Sequence, residues 1–340
     1  MSRWIGAQET QRAEFLKDCE VVPEELEMAL ERLKEFAQPY FALMPRVEMR
    51  QHGAHFLEGI LTDLERKSVE PIAERLGESL RPLQYFLGES PWDHQPLLDK
   101  LCQRVRECLG DENGVLVVDP SAFPKKGTQS VGVARQWCGR LGKKDNCQVG
   151  IFLGYVSNKG HTLVDERLYL PAVWARSKTR REKCAVPKSV RFRTSSQLAL
   201  EMVRERGRIL PHRWVVADEE FGQPYRFRKG LDRMGERYLL EIPSNLLVLD
   251  LAKMPSVDGK TNGPRRALFQ QVRRWKDGLR PSSWTKVHIR DGTKGPLKIM
   301  ATRTRVQSYD MRRQSKKSQW LMVTKTLDRV PEYRYYFSNA

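Results

Sequence analysis

The 340-residue sequence lacks any run of about 18 apolar residues, so we expect no segment to span a membrane. Its start, MSRWIGAQETQRAEFLKDCE, has no apolar stretch of the kind found in signal peptides. None of the six cysteines forms a C-x-x-C pair, which argues against a zinc knuckle or a disulfide framework. Internal repeats and low-complexity tracts are also missing. We therefore expect a reduced, cytoplasmic protein.

Positive charge is abundant and unevenly distributed. The net charge is +18, yet residues 1–110 carry a net −6, residues 111–340 a net +24, and residues 259–340 alone a net +15. A basic surface this concentrated favours a polyanionic partner, most often nucleic acid. The alternative is that the charge serves solubility, although evenly mixed charges would serve that purpose better.

Hydrophobic spacing predicts a helical N-terminal domain over residues 1–110. PEELEMALERLKEFAQ, FLEGILTDLERK and QPLLDKLCQRVRECLG each place apolar residues at helical intervals. Proline near the start of the first segment and Gly110 after the last fit helix boundaries. The domain is acidic overall, and it is a candidate for recognition of a DNA end.

The pattern changes to α/β at Gly114. GVLVVD, CQVGIFLGYVS and HTLVDERLYLP predict strands, with NKG as a hairpin turn between the last two. TSSQLALEMVRERG predicts a helix capped by Thr194 and ended by Gly207. HRWVVADEEFG and ERYLLEIPS predict two more strands, with a helix over QPYRFRKGLDRMG between them. Residues 111–244 are thus predicted to form a mixed sheet flanked by helices.

Residues 245–340 predict a separate, basic, β-rich unit. The strand-like segments TKVHIRDG, LKIMATRTRVQS, SQWLMVTKTL and EYRYYFSNA alternate there with basic turns.

Two predicted strands end in an acid, VLVVD at Asp119 and WVVAD at Asp218. The carboxyl ends of neighbouring strands meet at one edge of an open sheet, so the two carboxylates are expected side by side. Like charges so close repel unless a cation bridges them, and oxygen ligands favour Mg²⁺ or Mn²⁺. The alternative is that each aspartate is only a turn residue or a helix cap.

A longer resemblance supports the catalytic interpretation. The blocks VLVVDPSAFPKKGTQSVGVARQWCGRLGKKDNCQVGIFLGYVS, LVDERLYLPAVWA, VPKSVRFRTSSQLALEM and LPHRWVVADEEFG resemble insertion-sequence transposases of the DDE superfamily. The similarity is to the seven-oh-one group, which is related to the IS-four-like enzymes. It implies an RNase H-like core, with a β-rich insertion between the fifth strand and the last catalytic helix.

The resemblance also implies site residues and partners. Asp119 corresponds to the first catalytic acid and Asp218 to the second, both as ligands of Mg²⁺ or Mn²⁺. The third acid is a glutamate on a helix after the insertion; we expect it beyond Ala340, so that the sequence appears truncated. The implied partner is double-stranded DNA, both transposon ends and target. A homodimer is expected because two ends must meet, and the protein would be associated with the nucleoid.

Basic residues are the candidate DNA contacts. The predicted set is Lys125, Lys126, Arg135, Arg140, Lys143, Lys144, Arg265, Arg266, Arg273 and Arg274. For the two lysines of PKKG the alternative is a solvated turn. Trp137 lies in a second basic segment, RQWCGRLGKKDN. It could stack on a base, but the sequence favours a packed tryptophan.

Three interpretations remain open at the sequence level. His52 and His55 form an H-x-x-H pair that would need further ligands to hold a metal. Glu219, Glu220, Glu241 and Glu332 are weak substitutes for the third acid, because none of them lies on a late helix. The rivals to a transposase are a catalytically inactive DNA-binding remnant and an RNase H-like nuclease outside transposition, which would not join 3′ ends to a target.

Overall fold

The computed structural model describes residues 23–253, 269–291, 295–310, 313–314 and 317–340. The chain divides into two compact units, Met1–Lys100 and Leu101–Ala340. Among the helices of these ranges, none combines the length and the apolar character that a bilayer crossing requires.

The first unit is helical, as predicted. Its described elements are α1 (Pro23–Phe41), α2 (Val47–Leu61), α3 (Val69–Leu76), α4 (Leu80–Gly88) and the first turn of α5 (Gln95–Leu109). The helix predicted over FLEGILTDLERK ends early, at Leu61. The Thr62 hydroxyl donates to the carbonyl of Gly59 at 2.7 Å, and the backbone at Thr62 is extended, so the helix cannot continue.

The core of the first unit lies between α2, α3 and α4. Its buried side chains include Met49, Ile72, Leu83 and Phe86. Gly59 allows α2 and α3 to approach closely, because a Cβ at that position would lie 2.2 Å from Cγ2 of Ile72.

The second unit combines strands and helices in the predicted order, with additions. Its strands are β1 (Val115–Pro124), β2 (Ala134–Cys138), β3 (Lys143–Ser157), β4 (Gly160–Leu168), β5 (Trp214–Ala217), β6 (Tyr238–Glu241), β7 (Leu247–Asp250), β8 (Gln270–Gln271), β9 (Thr285–Arg290), β10 (Leu297–Asp310), β11 (Arg313–Gln314), β12 (Gln319–Lys325) and β13 (Tyr333–Ser338). Its helices after α5 are α6 (Ala172–Ala175), α7 (Lys178–Lys183), α8 (Ser195–Arg206), α9 (Glu219–Gly222), α10 (Tyr225–Met234) and α11 (Val272–Asp277).

All of these strands belong to one mixed sheet. Its main path runs β2–β3–β1–β5–β6–β13–β12–β10–β7–β8, with β4 also paired to β3, and β9 and β11 paired to β10. The pairs β1–β5 and β5–β6 are parallel, whereas β1–β3 and β6–β13 are antiparallel. The predicted mixed α/β architecture is confirmed, and the strands of residues 245–340 share this sheet with those of residues 111–244.

Four strands, β2, β7, β8 and β11, were not predicted, and β1 differs in where it ends. β2 was not predicted as a strand, because ARQWC alternates without a marked apolar face. β1 does not end at Asp119 but continues to Pro124, since its pairing with β3 extends from Val115↔Val156 to Pro124↔Cys147. The parallel pairing of β1 with β5 stops earlier, at Val118↔Ala217.

Helix α8 forms as predicted and packs on the sheet. Thr194 accepts from the backbone N–H of Gln197 while the Gln197 side chain accepts from the Thr194 N–H, and Gly207 is the C-cap. The core here combines alternating residues of β1, such as Leu116 and Val118, with the buried face of α8.

A buried ion pair joins the end of α8 to β4. Nε of Arg206 lies 2.7 Å from Oδ2 of Asp165, whose side chain is fully buried. The guanidinium of Arg167 contacts the other carboxylate oxygen of Asp165 and lies 2.8 Å from Glu205. These contacts fix the position of α8 relative to the β3–β4 hairpin.

Candidate active site

The fold brings Asp119 and Asp218 to one edge of the sheet. β1 and β5 are adjacent and parallel, and the last residues paired between them are Val118 and Ala217. Asp119 and Asp218 come directly after these two positions. The predicted adjacency of the two strands is confirmed; the catalytic role of the two acids is a separate prediction.

Asp119 lies within a strand. It is opposite Phe152 in the β1–β3 ladder and exposed on the sheet surface, whereas its neighbour Val118 is buried. The alternative that Asp119 is only a helix cap or turn residue is therefore wrong. The strand fixes the backbone that carries this carboxylate.

Asp218 does act as a helix cap. Its backbone is extended, and its Oδ1 accepts a hydrogen bond of 3.1 Å from the N–H of Glu220 at the start of α9. Capping and metal binding are compatible, because a carboxylate has about four lone-pair sites and the backbone N–H groups at the start of α9 use at most two. The cap holds the carboxylate in one orientation.

The charges at this edge repel one another. Burial, followed by the negative charges of Glu220 and Asp119, raises the pKa of Asp218 from 3.8 to about 6, against the opposing effect of two backbone N–H groups. Burial also raises the pKa of Asp119, although that residue is exposed overall. Both shifts show carboxylates held where negative charge is disfavoured.

The raised pKa of Asp218 predicts a pH-dependent stability. Because the folded-state pKa lies above the unfolded value of 3.8, this carboxyl contributes stability that is complete below pH 3.8 and is lost as the pH rises through about 6. In metal-free buffer, Asp218→Asn should be more stable than the wild type at pH 7 and no more stable near pH 4. The difference is at most about 3 kcal/mol, and partial exposure reduces it. Urea denaturation at several pH values measures it.

Asp145 provides a control of opposite sign. The backbone N–H of Asn146 and then Lys143 hold the pKa of Asp145 below its ordinary value. Asp145→Asn should therefore be less stable than the wild type at neutral pH and should match it in acid. Parallel pH profiles for the two variants would contradict the assignment at Asp218.

These acids fit a divalent cation with oxygen ligands. Asp119 and Asp218 supply carboxylate oxygens from adjacent strands. After burial, the negative charges of Glu220 and Asp119 help to raise the pKa of Asp218, and a bound cation would relieve this repulsion. Carboxylates are the ligands that Mg²⁺ and Mn²⁺ prefer.

A cleft of about 320 Å³ opens beside Asp218. Its lining includes Pro120, Gln136, Trp137, Tyr169, Ser195 and Glu220. A larger cavity of about 830 Å³ lies elsewhere in the second unit, beside α10, β10 and β12. Asp119, Asp218 and Glu220 are not among its lining residues. Asp218 and Glu220 line the smaller cleft, whereas Asp119 is not among its lining residues.

Six predicted basic residues lie on β2, on β3 and in the connections that follow β1 and β2. Lys125, Lys126, Arg135, Arg140, Lys143 and Lys144 are all exposed. The loop after β1 is anchored by Asn146, whose amide donates to the carbonyls of Lys125 and Gly127 at 2.6 and 2.9 Å. Of the six, Lys143 lies 3.1 Å from Asp145.

Trp137 is 59% exposed and lines the cleft. The interpretation of a packed tryptophan is wrong, because β2 lies where one face of the strand is open and only Cys138 next to it is buried. An indole in this position is available for stacking.

The remaining predicted DNA contacts lie further along the chain. Arg273 and Arg274 are exposed on α11, and Nε of Arg273 donates to the Gln271 side chain at 2.8 Å. Arg265 and Arg266 lie outside the described residues.

The sequence matches the family model of the DDE superfamily endonucleases over residues 39–317. The chain belongs to this family. The predicted membership of the DDE superfamily is therefore confirmed, and Asp119 and Asp218 both lie inside the matched region.

A curated relative adds to this assignment. The chain is 27% identical over 219 residues to a Microchaete diplosiphon protein described as a probable transposase for insertion sequence element IS701. The match covers 62% of this chain and 53% of that protein, so the chain spans about half the length of this relative. The predicted resemblance to the seven-oh-one group is confirmed.

A solved structure, that of the NurA nuclease from Sulfolobus solfataricus, is also similar. The match covers 80% of this chain and 82% of that chain, at 10% identity and a TM-score of 0.25. A score this low supports no conclusion about fold or function.

The third acid of this DDE chain stays a prediction. Within the described ranges, no His, Cys, Asp or Glu joins Asp119 and Asp218 in a cluster whose ligand atoms all lie within 4.8 Å of one another. Glu220 affects the pKa of Asp218 more strongly than Asp119 does. The carboxylate of Glu241 instead lies beside Tyr336, whose pKa it raises together with burial.

Several cleft residues were missed at the sequence level. Tyr169 lies beside Glu220, since burial and then the Glu220 charge raise the pKa of the tyrosine. Ser195 is the first residue of α8 and reaches the cleft through the packing of that helix. Neither residue stands in a recognisable motif. The only sequence signals are that Tyr169 directly follows a strand and that Ser195 directly follows the helix cap Thr194.

Proposed function

We propose that this chain is the transposase of an insertion sequence, which cleaves and joins DNA strands with the help of Mg²⁺ or Mn²⁺. The observation that carries the proposal is the parallel register of β1 and β5, which sets Asp119 and Asp218 side by side in a chain of the DDE superfamily. The curated relative supports the same function.

The proposal includes an RNase H-like core. Counting β1, β3, β4, β5 and β6 as its five strands places Asp119 on the first strand and Asp218 directly after the fourth, as the resemblance implies. The pairing of these strands in the order β4–β3–β1–β5–β6 keeps both acids on adjacent central strands. Strands β7 to β13 then correspond to the β-rich insertion.

The proposed domain organisation follows from this core. Residues 1–110 form the helical domain that recognises the element's end, residues 111–244 the first part of the core, and residues 245–340 the basic insertion that holds flanking DNA or a hairpin end. A homodimer would bring two ends together.

Asp119 and Asp218 would hold the metal. When bound, the ion supplies activation of a water or 3′-hydroxyl and stabilisation of the leaving oxygen at a phosphodiester. The hydrogen bond from the Glu220 N–H orients the Asp218 carboxylate, and the β1 ladder orients Asp119. Water is the first nucleophile and the freed 3′-hydroxyl the second, so no covalent protein–DNA intermediate is expected.

Other residues of the chain would position the DNA. Lys125 and Lys126 are exposed on the loop that follows β1, where they can meet phosphates next to the acids. Trp137 lines the cleft beside Asp218, where its exposed ring can stack on a base.

The basic insertion predicts steeply salt-dependent DNA binding. Each phosphate neutralised lowers log K by roughly 0.9 per unit of log salt concentration. Changing Arg265, Arg266, Arg273 and Arg274 together to alanine should flatten this slope, because those four charges would no longer release counterions. The slope is measured by fluorescence anisotropy on end-containing DNA over a range of salt concentrations.

A lysine variant tests whether the salt dependence of DNA binding comes from the charge of these side chains or from their shape. Arg273→Lys with Arg274→Lys keeps both charges on α11 and should keep the slope, whereas the corresponding alanine pair should lower it by up to about 1.8. An unchanged slope in the alanine variants would place the DNA contacts elsewhere on the surface.

The test of the proposed function uses the purified chain on DNA carrying the ends of its element. Nicking in Mg²⁺ or Mn²⁺, followed by joining of the 3′ end to a second DNA, supports a transposase. Nicking without joining would favour an RNase H-like nuclease.

An inactive DNA-binding remnant is the second candidate. It is favoured because, among the described residues, no third ligand forms a cluster with the two aspartates in which all ligand atoms lie within 4.8 Å of one another. Salt-dependent binding to element ends with no nicking in either metal would support it over an active enzyme.

A further inference from the structure

His52, His55 and Glu78 form a cluster in the first unit. Each offers one ligand atom, and the three atoms all lie within 4.8 Å of one another. His52 and His55 are one turn apart on α2 and so share a face of that helix. The H-x-x-H pair thus gains, through the fold, a third ligand that the sequence did not reveal.

The local structure delivers Glu78 to the two histidines. Gly77 ends α3 in the left-handed region, with a φ of 65°. The N–H of Glu78 then donates to the carbonyl of Ala73 at 2.8 Å, which closes the turn. The close packing of Gly59 on Ile72, one turn beyond His55, holds α2 against α3. The cluster therefore rests on two packed helices and a fixed turn.

The contact between His55 and Glu78 is not an ordinary hydrogen bond. Nδ1 of His55 lies 3.0 Å from Oε1 of Glu78. The nitrogen is shielded from solvent, yet the contact does not have hydrogen-bond alignment. Two ligands of one tetrahedral ion, with bonds of about 2.0–2.1 Å, lie about 3.3 Å apart. The observed spacing is close to that value.

An ion pair between His55 and Glu78 alone explains fewer of these contacts than a shared metal ion does. It would account for His55 and Glu78, whose side chains are 37% and 33% exposed, but not for the approach of His52. A pair this exposed contributes little to stability. The ring of His52 is also in contact with Phe86, with centroids 6.1 Å apart, which limits its orientation.

We propose that His52, His55 and Glu78 bind one zinc-type divalent ion that links α2 to the turn after α3. Two imidazole nitrogens and one carboxylate suit zinc, whereas magnesium prefers oxygen ligands. A water would complete the tetrahedron. The site is separate from the carboxylates of the second unit, and the inference does not depend on the proposed function.

The experiment uses the full chain carrying Asp119→Asn and Asp218→Asn, so that the carboxylate site does not compete. Zn²⁺ binding is measured by competition with a chromogenic chelator, together with the thermal unfolding temperature. We expect one zinc per chain and a zinc-dependent rise in that temperature, with no such response to Mg²⁺. His52→Gln, His55→Gln and Glu78→Gln should each weaken binding by more than about a hundredfold, beyond the 10–100-fold typical of an outer partner.

His94→Gln is the matched control, because His94 is an exposed histidine of the same unit. It should bind zinc as the parent does. The absence of zinc binding by the parent, or equal binding by all four variants, would overturn the proposal.

The absorption spectrum of Co²⁺ bound to the parent gives a measurement that needs no ligand variant. Tetrahedral nitrogen and oxygen ligation without a thiolate charge-transfer band supports the site. A thiolate band would assign the ion to cysteines and overturn the proposal.

Discussion

Asp119→Asn and Asp218→Asn should each lower metal-dependent DNA cleavage by at least about a hundredfold. Misplacement of reacting groups by about 1 Å already has an effect of that size, and loss of a carboxylate removes a ligand outright. Cleavage of end-containing DNA in Mg²⁺ and in Mn²⁺ measures the loss.

The fold should survive both substitutions. Asparagine caps helices about as well as aspartate, so the hydrogen bond from the Glu220 N–H can persist in Asp218→Asn. Asp119 is exposed and its backbone is held by the β1–β3 ladder. Unchanged circular dichroism and DNA affinity would thus separate loss of chemistry from loss of structure.

Asp145→Asn is the matched control for activity, since Asp145 is a β3 residue that does not line the cleft. It should cleave at the parental rate. Cleavage retained in Asp119→Asn would remove that residue from the proposed mechanism, and Glu220 and Glu241 would then be tested as ligands.

Arg206→Met should destabilise the protein by about 3–5 kcal/mol, because it leaves the buried carboxylate of Asp165 without its more deeply buried guanidinium partner. Urea denaturation gives the free energy of unfolding. Cleavage should also fall, since this pair anchors α8, whose first residue, Ser195, lines the cleft.

Two further variants make the origin of this loss explicit. Arg167→Met should be milder, because the Arg167 side chain is 19% exposed and Arg206 would still neutralise Asp165. Adding Asp165→Leu to Arg206→Met should recover much of the stability, since an apolar pair can replace a buried ion pair. A double variant as unstable as the single one would show that the loss is due to packing, not to charge.

Much of the strand pattern could be predicted from local sequence. Apolar runs such as those of β1 and β5 have few other low-energy environments than a buried strand. Cap residues are equally local, and Thr194 and Gly207 bound α8 as predicted. These features depend on neighbours within a few residues, which a single sequence displays.

Pairing partners could not be predicted in the same way. That β13 lies between β6 and β12 depends on contacts such as Phe337↔Leu240, between residues far apart in the chain. The extent of β1 beyond Asp119 is likewise set by its ladder with β3. Nothing in VLVVDPSAFP itself shows that a partner strand continues to Pro124.

The residues of the candidate site also differ in whether local sequence or long-range packing reveals them. Asp119 and Asp218 could be found because each follows an apolar run in the sequence. Tyr169 and Glu78 could not be assigned, since each gains its neighbour through packing or through a turn. Trp137 was misjudged because exposure depends on what covers a strand, and composition does not report that.

The place of β13 in the sheet has a consequence for synthesis on the ribosome. Until residues 333–338 emerge, β6 lacks its partner β13 and presents an unpaired edge to solvent. At about 5–20 residues per second, the roughly 90 residues between β6 and β13 take about 5–20 s to translate. For that time the nascent chain carries an open strand edge of the kind that seeds aggregation. Pausing by the ribosome or capture by a chaperone in this interval would therefore govern how much active protein a cell obtains.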